Sequence, residues 1–181
     1  MTPTDTRLWT PLRLTLAFVL GGIGGAALDQ IHVRMGVLYY PTPLWFDQAW
    51  WVVPLFGAAT VATITGARMW VDASPTMREH ELLDAGSWFV AAYWASGQWQ
   101  AHPIGLLVAY VIAFLVRTQH RPTWWFALAL AACGLVVEAT ISATGAFSYV
   151  HPDIFGLPLW LPGLYLHAAP FGLAVTTKLR R

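Results

Sequence analysis

Six long apolar segments occupy most of this 181-residue sequence, at about 12–28, 50–69, 82–99, 103–116, 124–143 and 159–175. A membrane-spanning helix needs roughly 17–25 mostly apolar residues, and every segment except the short fourth one reaches that length. Charged residues make up only 10% of the chain, against roughly 25% in soluble domains, so they cannot cover a water-facing surface. The sequence therefore predicts an all-α, polytopic membrane protein, a six-transmembrane-helix bundle in a single domain over residues 1–181.

The basic residues fall almost entirely on one side of these spans, and Lys and Arg are enriched in cytoplasmic loops. Nine of the ten belong to one set of loops and termini: Arg7, Arg13, Arg68, Arg78, Arg117, Arg121, Lys178, Arg180 and Arg181. Arg34 alone lies on the other side. Six spans with both termini in the cytoplasm fit this split, whereas five spans would place the C-terminal cluster on the wrong side.

Two further patterns bear on the architecture of the spans. No internal repeat is evident, which argues against an inverted-repeat transporter. Pro162 and Pro170 lie in the sixth span, and an interior proline breaks or kinks a helix. We therefore expect an irregular sixth span.

Ionisable groups within the apolar segments are the first candidates for function, because charge is costly in hydrocarbon. Glu138 is the deepest acid, Asp29 and His32 lie near the outer end of the first span, and His167 lies in the sixth. Three roles are open for Glu138: a structural hydrogen bond, the lining of a lipid cavity, or acid–base catalysis. Asp84, at the cytoplasmic start of the third span, is expected to be a solvated or helix-N-terminal acid.

Metal and nucleophile sites have no support from motif spacing. The histidines include no i, i+4 pair and lie on both sides of the membrane, and Cys133 is the single cysteine. No phosphate loop or nucleophile elbow is present. We expect no metal and no cofactor.

The third span carries a face of mixed aromatic and polar character. Phe89, Tyr93, Ser96 and Gln100 share this face by helical spacing. Flat rings with polar tips suit an amphipathic lipid, and the alternative is ordinary helix–helix packing with inter-helix hydrogen bonds.

The sequence resembles the Insig (insulin-induced gene) family over nearly its whole length. Residues 49–54, Ala-Trp-Trp-Val-Val-Pro, with Gly57 after them, are similar to the family's second span, which begins Ala-Trp-Trp-Val-Pro-Pro with a following Gly. Residues 145–153, Gly-Ala-Phe-Ser-Tyr-Val-His-Pro-Asp, and 160–162, Trp-Leu-Pro, resemble the last outer loop, Gly-Val-Tyr-Gln-Tyr-Thr-Ser-Pro-Asp and Trp-Leu-Pro. Shorter matches to the third span occur at residues 78–79, 89–90 and 95–96.

The resemblance implies a non-enzymatic lipid sensor. Insig proteins of the endoplasmic reticulum bind oxysterols and then retain the escort protein Scap or mark a sterol-synthesis enzyme for degradation. By position, Phe89 matches a third-span residue implicated in sterol response, and Gln100 or Ala101 lies near a polar residue of the fourth span. Residues 116–121 lack the acid that eukaryotic members carry there, which argues against a Scap-type partner. The resemblance therefore implies a minimal bacterial relative that keeps the lipid-binding body.

We expect a cavity among the first five spans that admits a sterol or a two-chain glycerolipid such as diacylglycerol. The residues expected to bind this lipid are Gln30, Trp51, Phe89, Tyr93, Trp94, Gln98, Gln100 and Glu138. The alternatives are a lipid-modifying isomerase or cyclase that uses Glu138 with His167 or Asp29, and a small transporter. We expect a homo-oligomer, with a trimer as the first candidate, in a bacterial plasma membrane, or in the endoplasmic reticulum of a eukaryote.

Overall fold

The computed structural model describes residues 10–71 and 79–180, apart from the side chains of residues 79 and 80. Within these ranges the chain forms six helices, α1 (Pro11–Arg34), α2 (Val52–Val71), α3 (Glu79–Trp99), α4 (Pro103–Arg117), α5 (Arg121–Ala143) and α6 (Leu161–Arg180). Two short strands, β1 (Leu38–Tyr39) and β2 (Ser148–Tyr149), follow α1 and α5. Each predicted span overlaps one helix. Three residues of the charge count, Arg7, Arg78 and Arg181, lie outside the described residues.

Membrane-spanning character is clearest in α1, α2 and α5, which are long and apolar enough to cross a bilayer, judged over residues 10–71 and 79–180. α4 is apolar but has only 15 residues, or about 22 Å at 1.5 Å per residue, against a hydrocarbon core of roughly 30 Å. α3 carries Glu81 and Asp84 near its start, and α6 ends with Lys178 and Arg180. These charges lower the hydropathy of the two helices.

α6 lies at the centre of the bundle and packs against α2, α3, α4 and α5. Pro170 lies inside this helix without ending it, so the prediction of an irregular sixth span is wrong. Pro170 has no N–H for the carbonyl of Leu166, but packing on four sides holds the helix together. Pro162 lies in the first turn, where a missing N–H costs little.

The hairpin α1–β1–α2 and the hairpin α5–β2–α6 are two copies of one structural unit. Three pairs of helix ends are the same number of residues apart in the sequence. These pairs are the starts of α2 and α6, the ends of α2 and α6, and the ends of α1 and α5. We call this separation the repeat offset. Gly36 and Gly145, which are equivalent at the repeat offset, have φ angles of 64° and 74°. Phe46 and Phe155, also equivalent, have φ angles of 53° and 52°, an uncommon conformation for a bulky residue.

The strand pairing has the symmetry expected of two-fold-related copies. β1 and β2 are antiparallel, with Tyr39 opposite Ser148 and Leu38 opposite Tyr149. Ser148 follows Tyr39 by the repeat offset, so Tyr39 pairs with its own equivalent, as a two-fold axis between the strands requires. Both hairpin connections therefore meet at one end of the bundle, here called the sheet end. α1 begins and α6 finishes at the opposite end, here called the terminal end.

The close packing within each hairpin follows the same repeat. A Cβ on Gly25 of α1 would overlap the ring of Phe56 on α2, and a Cβ on Gly134 of α5 would overlap the ring of Tyr165 on α6. Each member of the second pair follows its counterpart by the repeat offset. The prediction of no internal repeat is therefore wrong. The two copies run in the same direction, so the repeat is parallel and not inverted.

Candidate functional site

The first buried acid, Asp29, lies at the sheet end of α1 with 5% of its surface exposed. The Tyr40 hydroxyl donates to Asp29 Oδ2 at 2.8 Å. Gln48 Nε2 donates to the same oxygen at 2.7 Å and to the Ala26 carbonyl at 2.9 Å. The Trp51 ring lies edge-on to Tyr40, with centroids 5.5 Å apart. Asp29, Tyr40 and Trp51 form the first triad, which ties the connection between α1 and α2 to α1.

The second acid, Glu138 of α5, is half-buried and has two phenolic donors. The Tyr149 hydroxyl donates to Glu138 Oε2 and the Tyr165 hydroxyl donates to Glu138 Oε1, both at 2.5 Å. Trp160 is 1% exposed, and its ring lies edge-on to Tyr149 at 6.0 Å. Glu138, Tyr149 and Trp160 form the second triad, which ties the connection between α5 and α6 to α5.

The two triads are equivalent positions of the repeat. In each triad the tyrosine follows the acid by 11 residues, the tryptophan follows the tyrosine by the same interval, and the repeat offset relates one triad to the other. The acid is an aspartate in the first triad and a glutamate in the second. The second donor to the acid also differs, since Gln48 comes from the connection and Tyr165 from α6. Sequence reasoning singled out both acids but missed their tyrosine partners. The regular interval between acid, tyrosine and tryptophan was the signal that could have found them.

Both triad tyrosines are held in their neutral form. Burial raises the pKa of Tyr40 above its ordinary value, and the neighbouring carboxyl of Asp29 adds to this effect. Burial and the carboxyl of Glu138 likewise raise the pKa of Tyr149. Each hydroxyl therefore keeps its proton and remains a donor at any pH below about 10, the ordinary tyrosine pKa.

α1 and α3 meet near the sheet end through a buried polar contact. His32 Nε2 and Ser96 Oγ are 2.7 Å apart, and the His32 ring lies 4.7 Å from that of Tyr93. Gln100 Nε2 donates to the Met35 carbonyl at 3.2 Å. These contacts join the last turn of α1 and Met35, the residue after it, to the last turns of α3 and Gln100, the residue after that helix.

Toward the terminal end, an apolar groove of about 860 Å³ opens beside α3. Most of its wall is α3, its back is α6, and Ile31 of α1 lies at its upper end. It is an open groove and not an enclosed cavity. The lining residues are Ile31, Leu82, Leu83, Gly86, Ser87, Val90, Ala91, Trp94, Phe171 and Val175. This groove is formed by α1, α3 and α6, whereas the sequence predicted a cavity among the first five spans.

The structure separates the predicted site residues of α3. Trp94 lines the groove. Phe89 is stacked on Phe171 with ring centroids 5.8 Å apart, and it lies edge-on to Tyr93 at 5.3 Å. Tyr93 is buried beside His32, as described above. Gln98 is exposed.

The remaining predicted residues lie at or near the sheet end. Trp51 and Glu138 belong to the two triads, and Gln100 donates to the carbonyl of Met35, the residue after α1. The side-chain amide of Gln30 is buried, and within the part of the chain that the structure describes neither its nitrogen nor its oxygen has a hydrogen-bond partner. Gln30 is therefore the predicted residue whose polar group is most in need of a partner.

A separate cluster joins α3, α4 and α6. His167 Nε2 lies 3.2 Å from the Tyr110 carbonyl, and Trp88 stacks on the His167 ring at 6.2 Å. The Arg117 guanidinium lies 4.5 Å from the Trp88 ring centre and bonds Asp84. The Asp84 side chain is 61% exposed, as expected of a solvated acid, and it is also paired with a cation. No group of three or more His, Cys, Asp or Glu suited to a metal occurs within residues 10–71 and 79–180.

Two solved structures match nearly the whole chain. One is the crystal structure of a mycobacterial Insig homologue, MvINS from Mycobacterium vanbaalenii, with a TM-score of 0.77 and 22% identity, covering 95% of this chain and 97% of that one. The chain has the Insig fold. The other is a cross-linked trimer of a cysteine variant of MvINS, with a TM-score of 0.76 and 20% identity, covering 94% and 95%. The expected Insig resemblance is thus confirmed in the fold. No protein-family model and no curated protein matches the sequence.

Proposed function

We propose that this protein is an Insig-like lipid-binding protein without enzymatic activity, which spans the membrane six times with both termini in the cytoplasm. The observation that carries the proposal is the apolar groove beside α3, which is open and is backed by Phe171 and Val175. In a bilayer such an opening faces the acyl chains, so a lipid reaches it without crossing water. The Insig fold supports the same function.

The ligand class that the resemblance implies is a sterol or a two-chain glycerolipid such as diacylglycerol. In this proposal Trp94 contacts the apolar part of the lipid directly, and Phe89 acts by holding Phe171 in the back wall of the groove. Gln30 remains a candidate for orienting a polar head, because its amide is buried with no partner among the described residues. The bonds that Glu138 and Gln100 already make favour structural roles for them.

A matched pair of variants tests lipid binding. Ala91 lines the groove, so Ala91→Phe should fill it and lower the amount of lipid that co-purifies with the protein. Ala132, an exposed residue of α5, is not among the lining residues, so Ala132→Phe should leave that amount unchanged. The bound lipid is counted by native mass spectrometry and identified after extraction. An empty wild-type protein, or equal lipid in both variants, would contradict the proposal.

The enzymatic alternative requires Glu138 to act with His167 or Asp29. Glu138 instead accepts hydrogen bonds from the hydroxyls of Tyr149 and Tyr165. His167 Nε2 contacts the Tyr110 carbonyl. These contacts favour structural roles for Glu138 and His167. Purified protein is expected to leave a labelled lipid unchanged. Turnover that disappears in Glu138→Gln would establish the enzyme in its place.

Topology and assembly complete the proposal. The nine-to-one distribution of basic residues supports both termini in the cytoplasm of a bacterial cell, and reporter fusions at each end and in each connection test this orientation. The match to a cross-linked MvINS trimer supports a homo-oligomer, with a trimer as the first candidate. Light scattering of the detergent-solubilised protein gives the mass of the assembly, and a monomer would contradict the homo-oligomer.

A further inference from the structure

Two tight turns at the sheet end share one backbone feature. The first turn spans residues 45–48 and the second spans residues 154–157, and hydrogen bonds join the first and last residues of each. The two turns are equivalent at the repeat offset. Both central residues of each turn have positive φ, with 53° and 63° in the first turn and 52° and 76° in the second. We call these two segments the paired turns.

The residue at the tip of each paired turn is poorly suited to this conformation. Turns with two positive φ angles favour Asn, Asp and Gly at their centre, but Phe46 and Phe155 occupy the first central position. These residues are 75% and 87% exposed, so packing within the protein does not account for them. Backbone strain that packing does not explain points to a functional role. The same exception in both copies of the repeat indicates that the role is shared.

The tips of the paired turns are apolar. Each phenylalanine follows another exposed apolar residue, since Trp45 is 73% exposed and Ile154 is 53% exposed. The acids next to the tips already have partners. Asp47 pairs with Arg34 at 3.7 Å, and Asp153 accepts a backbone N–H at 2.8 Å. Each turn therefore presents two apolar side chains to its surroundings.

The paired turns lie beside the helix ends and not beyond them. In the first turn Asp47 contacts Arg34, the last residue of α1. In the second turn a Cβ on Gly156 would lie 3.1 Å from Ser142 Oγ, in the last turn of α5. α1 and α5 have 24 and 23 residues, or about 35 Å at 1.5 Å per residue, against a hydrocarbon core of about 30 Å. Their last turns, and the paired turns beside them, therefore reach the headgroup level.

Both paired turns lie at one depth, on opposite sides of the bundle. The two-fold axis between β1 and β2 relates them, and it runs along the bundle because the two copies of the repeat run in the same direction. A partner protein docked on one flank would cover one turn and leave the other exposed. A membrane surrounds the bundle and meets both turns at the same boundary. Trp favours this boundary, and Phe inserts from it toward the acyl chains.

We propose that the paired turns are membrane anchors, which insert Phe46 and Phe155 from the headgroup level into the acyl chains of the leaflet at the sheet end. The turn backbone stays at the headgroup level, because unpaired peptide groups are costly in hydrocarbon. Anchors on opposite sides of the bundle oppose its tilt, which interfacial side chains help to set. The anchors need a membrane around the bundle but no lipid in the groove, so either proposal can fail without the other.

Spin labels on the full-length protein in phosphatidylcholine vesicles locate the two tips. The labels are attached to Phe46→Cys and Phe155→Cys, one at a time, in a Cys133→Ser background because Cys133 is itself exposed. Thr42→Cys and His151→Cys are the matched controls, at exposed and equivalent positions of the same two connections. Collisions with oxygen report lipid, and collisions with a water-soluble nickel chelate report water. The ratio of oxygen to nickel accessibility should be higher at both tips than at both controls.

Every pattern of accessibility decides for or against the anchors. A tip with the same ratio as its control lies in water, and one such tip overturns the paired anchor. Low accessibility to both reagents places a tip against protein, a second copy included, and overturns it as well.

A double variant tests the effect on tilt. Asn accepts positive φ more readily than Phe, so Phe46→Asn with Phe155→Asn should keep the fold. Its mean helix tilt in oriented bilayers, measured by polarised infrared spectroscopy, should exceed that of the wild type. Thr42→Asn with His151→Asn is the control and should leave the tilt unchanged. Equal tilt in the two double variants would show that the paired turns do not hold the bundle upright.

Discussion

Replacing Tyr149 by phenylalanine removes one hydroxyl from the half-buried acid Glu138 and leaves the aromatic ring against Trp160. The carboxyl keeps its bond from Tyr165, so one of its two hydrogen bonds is lost. Removal of one partner from a partly buried hydrogen bond to a carboxyl costs about 1–2 kcal/mol. For a chain of this size each kcal/mol lowers the midpoint of thermal unfolding by about 2–4 °C. Tyr149→Phe should therefore lower Tm by about 2–8 °C.

The repeat supplies the comparison and the control. Tyr40→Phe removes the equivalent hydroxyl from Asp29 and should lower Tm by a similar amount, because Gln48 remains as the second donor. Tyr39→Phe makes the same chemical change in β1 at a side chain that is 52% exposed. Its free energy of unfolding should stay within about 0.5 kcal/mol of the wild-type value. Circular dichroism at the helix band, in one detergent, measures all four proteins. If Tyr149→Phe unfolds at the same temperature as Tyr39→Phe, the triads do not hold the sheet end together.

Three further predictions follow from the same contacts. Raised pKa values of the two triad tyrosines mean that unfolding releases their protons above about pH 10. These two groups should therefore leave Tm unchanged below that pH and lower it above that pH. If a variant with both Tyr40 and Tyr149 replaced by phenylalanine showed the same fall in Tm, the tyrosines would not be its cause. Gly25→Ala places a Cβ against a ring of α2 and should cost about 1–3 kcal/mol. In Gly24→Ala the added Cβ meets no atom within 4 Å, so this variant should not be destabilised. Equal unfolding temperatures for Gly25→Ala and Gly24→Ala would refute the packing argument. Ser96→Ala removes the contact with His32 and should speed hydrogen exchange where α1 and α3 meet, and unchanged exchange there would count against that contact.

The number and positions of the helices could be predicted from the sequence, because the hydropathy of a segment long enough to cross a bilayer depends on composition alone. The structural role of Glu138 was one of three open roles, since an acid in an apolar helix says nothing about which donors reach it. Tyr149 follows Glu138 by 11 residues, but the link between them depends on how the connection folds back. That geometry is not visible in a hydropathy pattern.

The groove and the repeat could not be predicted for a different reason. Both depend on which helices lie side by side, and every apolar helix face of a membrane protein has a similar composition. The central position of α6 is an example. Its buried His167 and its Pro170 lie in one continuous helix packed on four sides, and the sequence does not reveal this packing. The repeat was hidden because α3 and α4 separate its copies and few positions, such as Gly36 and Gly145, are identical.

The spacing of the first triad has a consequence for the order in which the protein is built. Asp29, Tyr40 and Trp51 all lie in the first hairpin, so their contacts can form as soon as α2 has left the ribosome. The pairing of Tyr39 with Ser148 joins the two copies of the repeat and has to wait for α5, because contacts between distant residues form late. The N-terminal hairpin can thus form before synthesis of its twin begins. During that interval its strand β1 has an open edge, which the later copy closes in the finished protein.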